Sequence, residues 1–368
     1  MKVSAILAFG IGGLTACALG WTGAVAVQWT LDGSRAFGGS ASGEAGWVGE
    51  LMVNLEADQS LTDDRSVGVF ALLQGIASDG AVYEAVGDFH GFSNLAAEDA
   101  LRVFEAGITL SDTDGAWTAS AGLLAADSAF MALDPAGLFL NAEFGPLGIL
   151  TGNTPSPVWP VGAPGVHGHL ELANGLSFQA GLYDGDAGDE RPGGLSRRLA
   201  VGGDAGFLTI AELGGSLANG AWTLGAFSHS GAFPRLDNPT GTGGITALYG
   251  QWAVSLTPDL SGFVRAGTAG PDERVTARWT VDGGFTWQGD AWGRPSDQWG
   301  TAFAYTAFSD AWRAAAPDRS AGEWLWELTY AWQVSERLLV QPDLQWIPET
   351  ADGGGDVWIA SLRLQLSL

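Results

Sequence analysis

The chain holds a single cysteine, Cys17, so no intramolecular disulfide framework can staple the fold. Beyond the first 26 residues no apolar run reaches the roughly 18 residues that a helical membrane span requires. Lysine stops at Lys2, and 16 basic residues stand against 41 acidic ones, a formal charge of −25. Nucleic-acid binding needs a Lys/Arg footprint that this balance denies. Histidine is scarce as well, at His90, His167, His169 and His229. His167 and His169 are spaced i, i+2 on one strand face, which could begin a metal site, but no further ligand cluster accompanies them. There is no G-x-S-x-G, no phosphate-binding Gly-Lys motif and no dinucleotide fingerprint. No pair of carboxylates is singled out by spacing for glycoside hydrolysis. The reading is a non-enzyme without a cofactor.

What is present begins with a leader. Lys2, an apolar run from Val3 to Leu19 and the small-x-small Ala24-Val25-Ala26 form a secretory signal peptide over residues 1–26. Cleavage after Ala26 makes Val27 the mature start. Leu14-Thr15-Ala16-Cys17 offers a competing lipoprotein box in which Cys17 would carry lipid. Residues 27–368 show no linker or composition shift and read as one domain.

Glycine (56) and tryptophan (17) are abundant, and apolar residues alternate with polar ones. From Val357 to Leu368, one parity is Trp358, Ala360, Leu362, Leu364, Leu366 and Leu368, while the other ends in Ser361, Arg363, Gln365 and Ser367. Side chains of a strand alternate between faces, so one face can meet hydrocarbon and the other water. Taken alone, this segment fits a soluble sandwich equally well. The pattern recurs, however. Trp324, Trp326, Leu328, Tyr330 and Trp332 oppose Glu323, Glu327, Thr329 and Gln333, and similar segments fall near 47–55, 248–256, 274–288 and 338–346. A sandwich rarely puts three tryptophans on a solvent face or two arginines in its core. A barrel wants aromatics at the lipid interfaces and polar groups inside. With weaker strands near 67–77, 101–110, 116–124, 137–144, 168–174, 176–183, 207–213, 221–229, 260–268 and 298–309, the fold class is all-β, a transmembrane antiparallel barrel of about sixteen strands. Residues 79–100 and the proline-rich 151–165 resist the strand template and read as loops.

Several strings then carry a family likeness: DFHGFSNLAAEDALRVFEAGITL at 88–110, ADSAF at 126–130, SPVWPVGAPG at 156–165, GLYDGDAGD at 181–189 and LLVQPDLQWIPET near the end. In this order they resemble the carbohydrate-selective outer-membrane porins of the OprB-like family. The resemblance implies a sixteen-stranded barrel passing sugars by diffusion, with a waist of arginines, acids and aromatics. The chain departs from the family in ending on Leu368 instead of an aromatic residue.

A selective waist needs hydrogen-bonding groups that replace hydration without holding the solute, and arginine's planar fork suits vicinal hydroxyls. Parity puts Arg274, Arg278 and Asp282 on one lumen face. Arg265 and Arg363 fall on polar parities. Arg102 and Glu105 have opposite parities, so Glu105 is the better lumen residue and Arg102 sits at a rim or is re-aimed by a bulge. Trp159 is a sugar-stacking candidate, with loop packing as its alternative role. The expected protein is a bacterial outer-membrane porin for small neutral solutes, in contact with outer-membrane lipid and able to form a homo-oligomer. The alternative is a secreted or lipid-tethered β-rich carbohydrate-binding protein, which requires the Trp324, Trp326 and Trp332 face to be buried by protein.

Overall fold

A computed structural model describes residues 21–188, 205–237, 241–316 and 318–368. Cys17 and the leader up to residue 20 lie outside the described residues. Sixteen strands occur among those described: β1 (Thr22–Phe37), β2 (Ala45–Thr62), β3 (Arg65–Ser78), β4 (Ala100–Asp112), β5 (Trp117–Leu124), β6 (Ala163–Glu171), β7 (Ser177–Asp184), β8 (Phe207–Leu217), β9 (Gly220–Pro234), β10 (Thr242–Ser255), β11 (Leu260–Gly270), β12 (Ala277–Gln288), β13 (Gln298–Phe308), β14 (Gly322–Gln333), β15 (Leu338–Ile347) and β16 (Val357–Ser367). Each pairs antiparallel with its sequence neighbours, and β1 pairs with β16 to close the barrel. Closure leaves no sheet edge, which is what lets a strand structure span hydrocarbon. The terminal Leu368 donates its backbone N–H to Val27 (2.8 Å), so the last residue is tied into the seam.

The expected strand count holds, but its membership differs in two places. Residues 137–144 are not a strand. They belong to two single-turn 3₁₀ elements, Asp134–Leu138 and Ala142–Phe144, because Pro135 opens a turn and Phe139, Leu140 and Phe144 are all buried, leaving no polar face to alternate with. The missing strand is β1, where Thr30, Asp32 and Ser34 are buried while Trp29 is exposed on the other face.

Orientation follows from exposure. Trp324, Trp326 and Trp332 are 46, 48 and 43 % exposed, whereas Glu323 and Glu327 on the opposite face are 0 and 1 % exposed. A bare tryptophan face backed by enclosed carboxylates is a lipid-facing wall around a filled interior. The soluble carbohydrate-binding alternative needed that face covered by protein, and it fails here.

At one end the strands are joined by short turns, such as 63–64 and 218–219. At the other end the connections at residues 79–99 and 125–162 are long, and both fold into the barrel. They bury apolar side chains against the inner wall. Phe130, Met131, Leu147 and Ile149 cluster with Leu208, Ile210, Phe227 and Ile245. Val82, Val86, Phe92, Phe139 and Phe144 cluster with Leu325, Ile347, Val357 and Ile359. The inner face is therefore polar only in part. Burial of each Leu, Ile or Phe contributes about 1.5–3 kcal/mol, enough to keep these segments inside.

Two bulges reset side-chain parity. In β4 the register against β3 skips Phe104, so Arg102 and Glu105 both point inward despite their odd spacing. In β12 the register against β13 skips Arg278, which turns that residue out of the inward series formed by Ala277, Thr280 and Asp282.

Candidate channel constriction

The inner wall seats the two inner segments with side chains whose polarity matches the backbone atoms they meet. Wall carboxylates accept N–H groups: Glu105 from Ala125 (2.7 Å), Glu212 from Met131 (2.8 Å), and Glu327 from Leu140 (2.6 Å) and Asn141 (3.1 Å). Wall amides donate to carbonyls: Gln179 to Ala129, Gln251 to Ala132, Gln341 to Leu138 and Gln345 to Phe92, at 2.8–3.0 Å. Backbone outside regular structure carries unmet donors and acceptors, and in an enclosed space each must find a partner. These wall residues supply them, which fixes the path of residues 125–162 across the lumen.

Arg265 belongs to this seat. Its Nε donates to Asp282 Oδ1 (2.8 Å), while Nη1 and Nη2 donate to the Gly145 (2.5 Å) and Glu143 (2.6 Å) carbonyls. Both members of the ion pair are wholly buried. Arg265 and Asp282 therefore face inward, as parity predicted, but they sit behind the inner segment instead of lining open water. Glu105 likewise faces in and is spent on Ala125 N and the Ser128 hydroxyl (2.9 Å). Arg102 is buried and donates to the Pro160 and Glu98 carbonyls (3.4 and 3.1 Å).

Two of the parity assignments are corrected. Arg274 is not in the strand: it ends a single 3₁₀ turn, Asp272–Arg274, at the long-loop rim, where it pairs with Glu273 (3.1 Å). Arg278, the bulged residue, bonds the Ala269 carbonyl and Thr268 Oγ1 and lies 3.6 Å from Asp272. Thr268 belongs to the exposed face of β11, so Arg278 lies on the outside of the barrel near its rim. Trp159 is a packing residue of the inner segment: its indole N–H donates to Glu50 (3.0 Å) and its ring lies against Val48, Ile76 and Leu95.

Arg363 is the predicted residue whose setting differs most from the seat. It holds Asp32 with two 2.7 Å bonds and reaches Asn94 Oδ1 (2.7 Å), while its side chain stays 11 % exposed. Ser93 donates to the same aspartate (2.8 Å). One strand further on, Gln74 donates to Glu50 (2.8 Å). Strands β16 and β1 to β3 thus carry a polar arc, Arg363, Asp32, Glu50 and Gln74, facing Ser93, Asn94 and Trp159. Asp32, Glu212 and the seating role of Glu50, Glu323 and Glu327 were not singled out by sequence reasoning. Their signal was available as lone acids at inward parity, in mid-strand for all but Glu323, which stands at the start of β14.

A family model described as "Carbohydrate-selective porin, OprB family" matches residues 43–368. Among solved structures, the high-pH structure of Pseudomonas putida OprB superposes with a TM-score of 0.79 at 17 % identity, over 95 % of this chain and 94 % of the other. Salmonella typhi OmpF superposes at 0.64 with 8 % identity (95 and 98 % covered). The outer-membrane channel DcaP of Acinetobacter baumannii does so at 0.58 with 10 % identity (95 and 98 %). A comparison with curated protein sequences finds no match.

Proposed function

Because the chain belongs to the OprB family of carbohydrate-selective porins, and so is an outer-membrane channel for passive diffusion, we propose that small neutral saccharides are its solutes and that they pass beside Arg363, the member of this arc that reaches water, with Asp32, Glu50 and Gln74 backing it from the wall. The observation that carries this reading is Arg363 at the inner face, paired with the buried Asp32 and bonded to Asn94 of the inner segment, yet with 11 % of its side chain still open to water. A guanidinium fork beside a carboxylate offers donors and acceptors at the spacing of adjacent hydroxyls. Opposite charges held together present little net field to a neutral solute. Apolar packing of the inner segment fills the lumen against β8, β9 and β10, on strands away from this arc, which supports a polar route on the arc's side.

Processing after Ala26 belongs to the same proposal. Pairing of β1 with β16 runs from Gln28↔Ser367 to Phe37↔Trp358, so cleavage there leaves every rung of the seam in place. Contact with outer-membrane lipid along the tryptophan wall, and association of copies within the membrane, complete it. Native electrophoresis of detergent-extracted protein reads the last point.

The test is planar-bilayer conductance together with liposome swelling by neutral sugars, anions and cations of matched size. Swelling fastest with neutral saccharides is expected. Equal rates for all solutes would reduce the protein to a general pore, and no conductance at all would remove the channel reading.

A further inference from the structure

The two inner segments meet the wall at one enclosed cluster. His90, from residues 79–99, is 4 % exposed. Its Nδ1 lies 3.0 Å from Glu323 Oε1 on β14, and its Nε2 lies 3.0 Å from Thr306 Oγ1 on β13 and 4.0 Å from Glu143 Oε2 of residues 125–162. The hydroxyls fix the direction of the bonds. Thr280 donates to Glu143 Oε1 (2.7 Å), and Thr306 donates to Thr280 (3.1 Å). The Thr306 proton is thereby used, so Thr306 can only accept from His90 Nε2. Glu323 Oε1 stands beside Nδ1 at ion-pair distance, without the alignment of a hydrogen bond, so an acceptor at Nε2 and a carboxylate next to Nδ1 together suit an imidazolium.

Glu323 also accepts the N–H groups of Phe89 (2.9 Å), His90 (3.1 Å) and Ala351 (2.7 Å). The charged groups facing His90 are Glu323, Glu143 and Asp88, with the Arg265–Asp282 pair beyond the threonines. If His90 were neutral, the four acidic groups Glu323, Glu143, Asp88 and Asp282 would have one buried cation, Arg265, among them.

We infer that protonated His90 is a positioning residue, a charged latch that holds both inner segments against β13 and β14 and keeps the passage narrow until its proton is lost. The inference rests on the channel reading above. Burial opposes the His90 charge, but the bond and charge of Glu323, with Glu143 and Asp88, overcome it and push His90 up to about 9. Burial, with Glu323 beside it, pushes the Asp88 carboxyl up to about 7. The sign is the same for both groups. A group that binds its proton more tightly when folded stabilises the folded state below its unfolded pKa and loses that contribution as pH rises through the folded one. For His90 that window runs from about 6.5 to about 9.

Single-channel conductance of the full protein in planar bilayers, followed from pH 5 to 10, tests this. The wild type should hold one conductance up to about pH 8 and step to a higher one as pH passes about 9. His90→Gln should show the higher level at pH 7 and lose the transition, while His90→Arg should keep the lower level to pH 10. Hydrogen exchange of the wild type gives a reading that needs no variant: the Phe89 and His90 amides should lose protection above pH 9 while β14 amides keep theirs. A conducting channel with a flat pH profile, or a transition that survives in His90→Gln, would overturn the latch. Absence of conductance at every pH would instead count against the channel itself.

Discussion

Two arginine–aspartate pairs stand on the inner wall, Arg265–Asp282 across β11 and β12 and Arg363–Asp32 across β16 and β1, and their surroundings give them different work. Arg265 and Asp282 are wholly enclosed, and the remaining guanidinium N–H groups are used on the carbonyls of Gly145 and Glu143. Arg363 keeps part of its side chain in water and touches a side-chain amide, Asn94, instead of backbone. The first pair fixes the inner segment and the second borders the space which that segment leaves. Inward direction alone does not make a residue channel-lining, since the inner segment decides which wall groups ever meet a solute.

The largest expected effect comes from breaking the enclosed pair. Arg265→Ala leaves the Asp282 carboxyl unpartnered in the interior and releases the inner-segment carbonyls of Gly145 and Glu143. Removing one partner of a buried pair typically costs about 3–5 kcal/mol. Urea unfolding in lipid vesicles should show a loss of that order, with raised conductance in any folded fraction. A midpoint equal to that of wild type would mean that the pair does not hold the segment. Glu327→Ala comes next. It strips the acceptors from the Leu140 and Asn141 N–H groups, at about 1–3 kcal/mol for each buried donor left unmet, and should widen the passage without closing it.

Arg363→Gln sharpens the contrast from the other side. Asp32 keeps its bond from Ser93 (2.8 Å) and gains access to water, so the stability loss should be smaller than for Arg265→Ala. The uncompensated carboxylate at the passage should raise the preference for cations over anions in reversal-potential measurements and lower saccharide swelling rates. Unchanged selectivity in a folded variant would move the route away from this arc.

Strand period was legible in the sequence because alternation is written directly into side-chain type, and it gave the fold and the lipid face of β14 and β16. Three features were not. The bulge at Arg278 inserts one residue with no local marker of its own, so parity carried forward from Arg274 put it on the wrong face. Residues 137–144 hold strand-like apolar residues, yet they pack between the wall and another segment instead of within a sheet. The roles of Glu212, Glu323 and Glu327 depend on backbone N–H groups up to 234 residues distant in the chain, and no spacing rule reports such a contact. Arg102 with Glu105 shows the opposite case, where clashing parity in a charged string did signal the bulge that turns both inward.

The smallest expected effect tests that lesson directly. Arg278 lies outside the barrel with its side chain 44 % exposed beside Asp272, and exposed pairs of this kind are worth up to about 1 kcal/mol. Arg278→Ala should leave sugar flux, selectivity and the unfolding midpoint within error of wild type. Asp282→Asn, four residues on, should weaken the hold on Arg265 and raise conductance. If instead Arg278→Ala altered flux and Asp282→Asn did not, the bulge would be misplaced and the simple alternation from Arg274 to Asp282 would be restored.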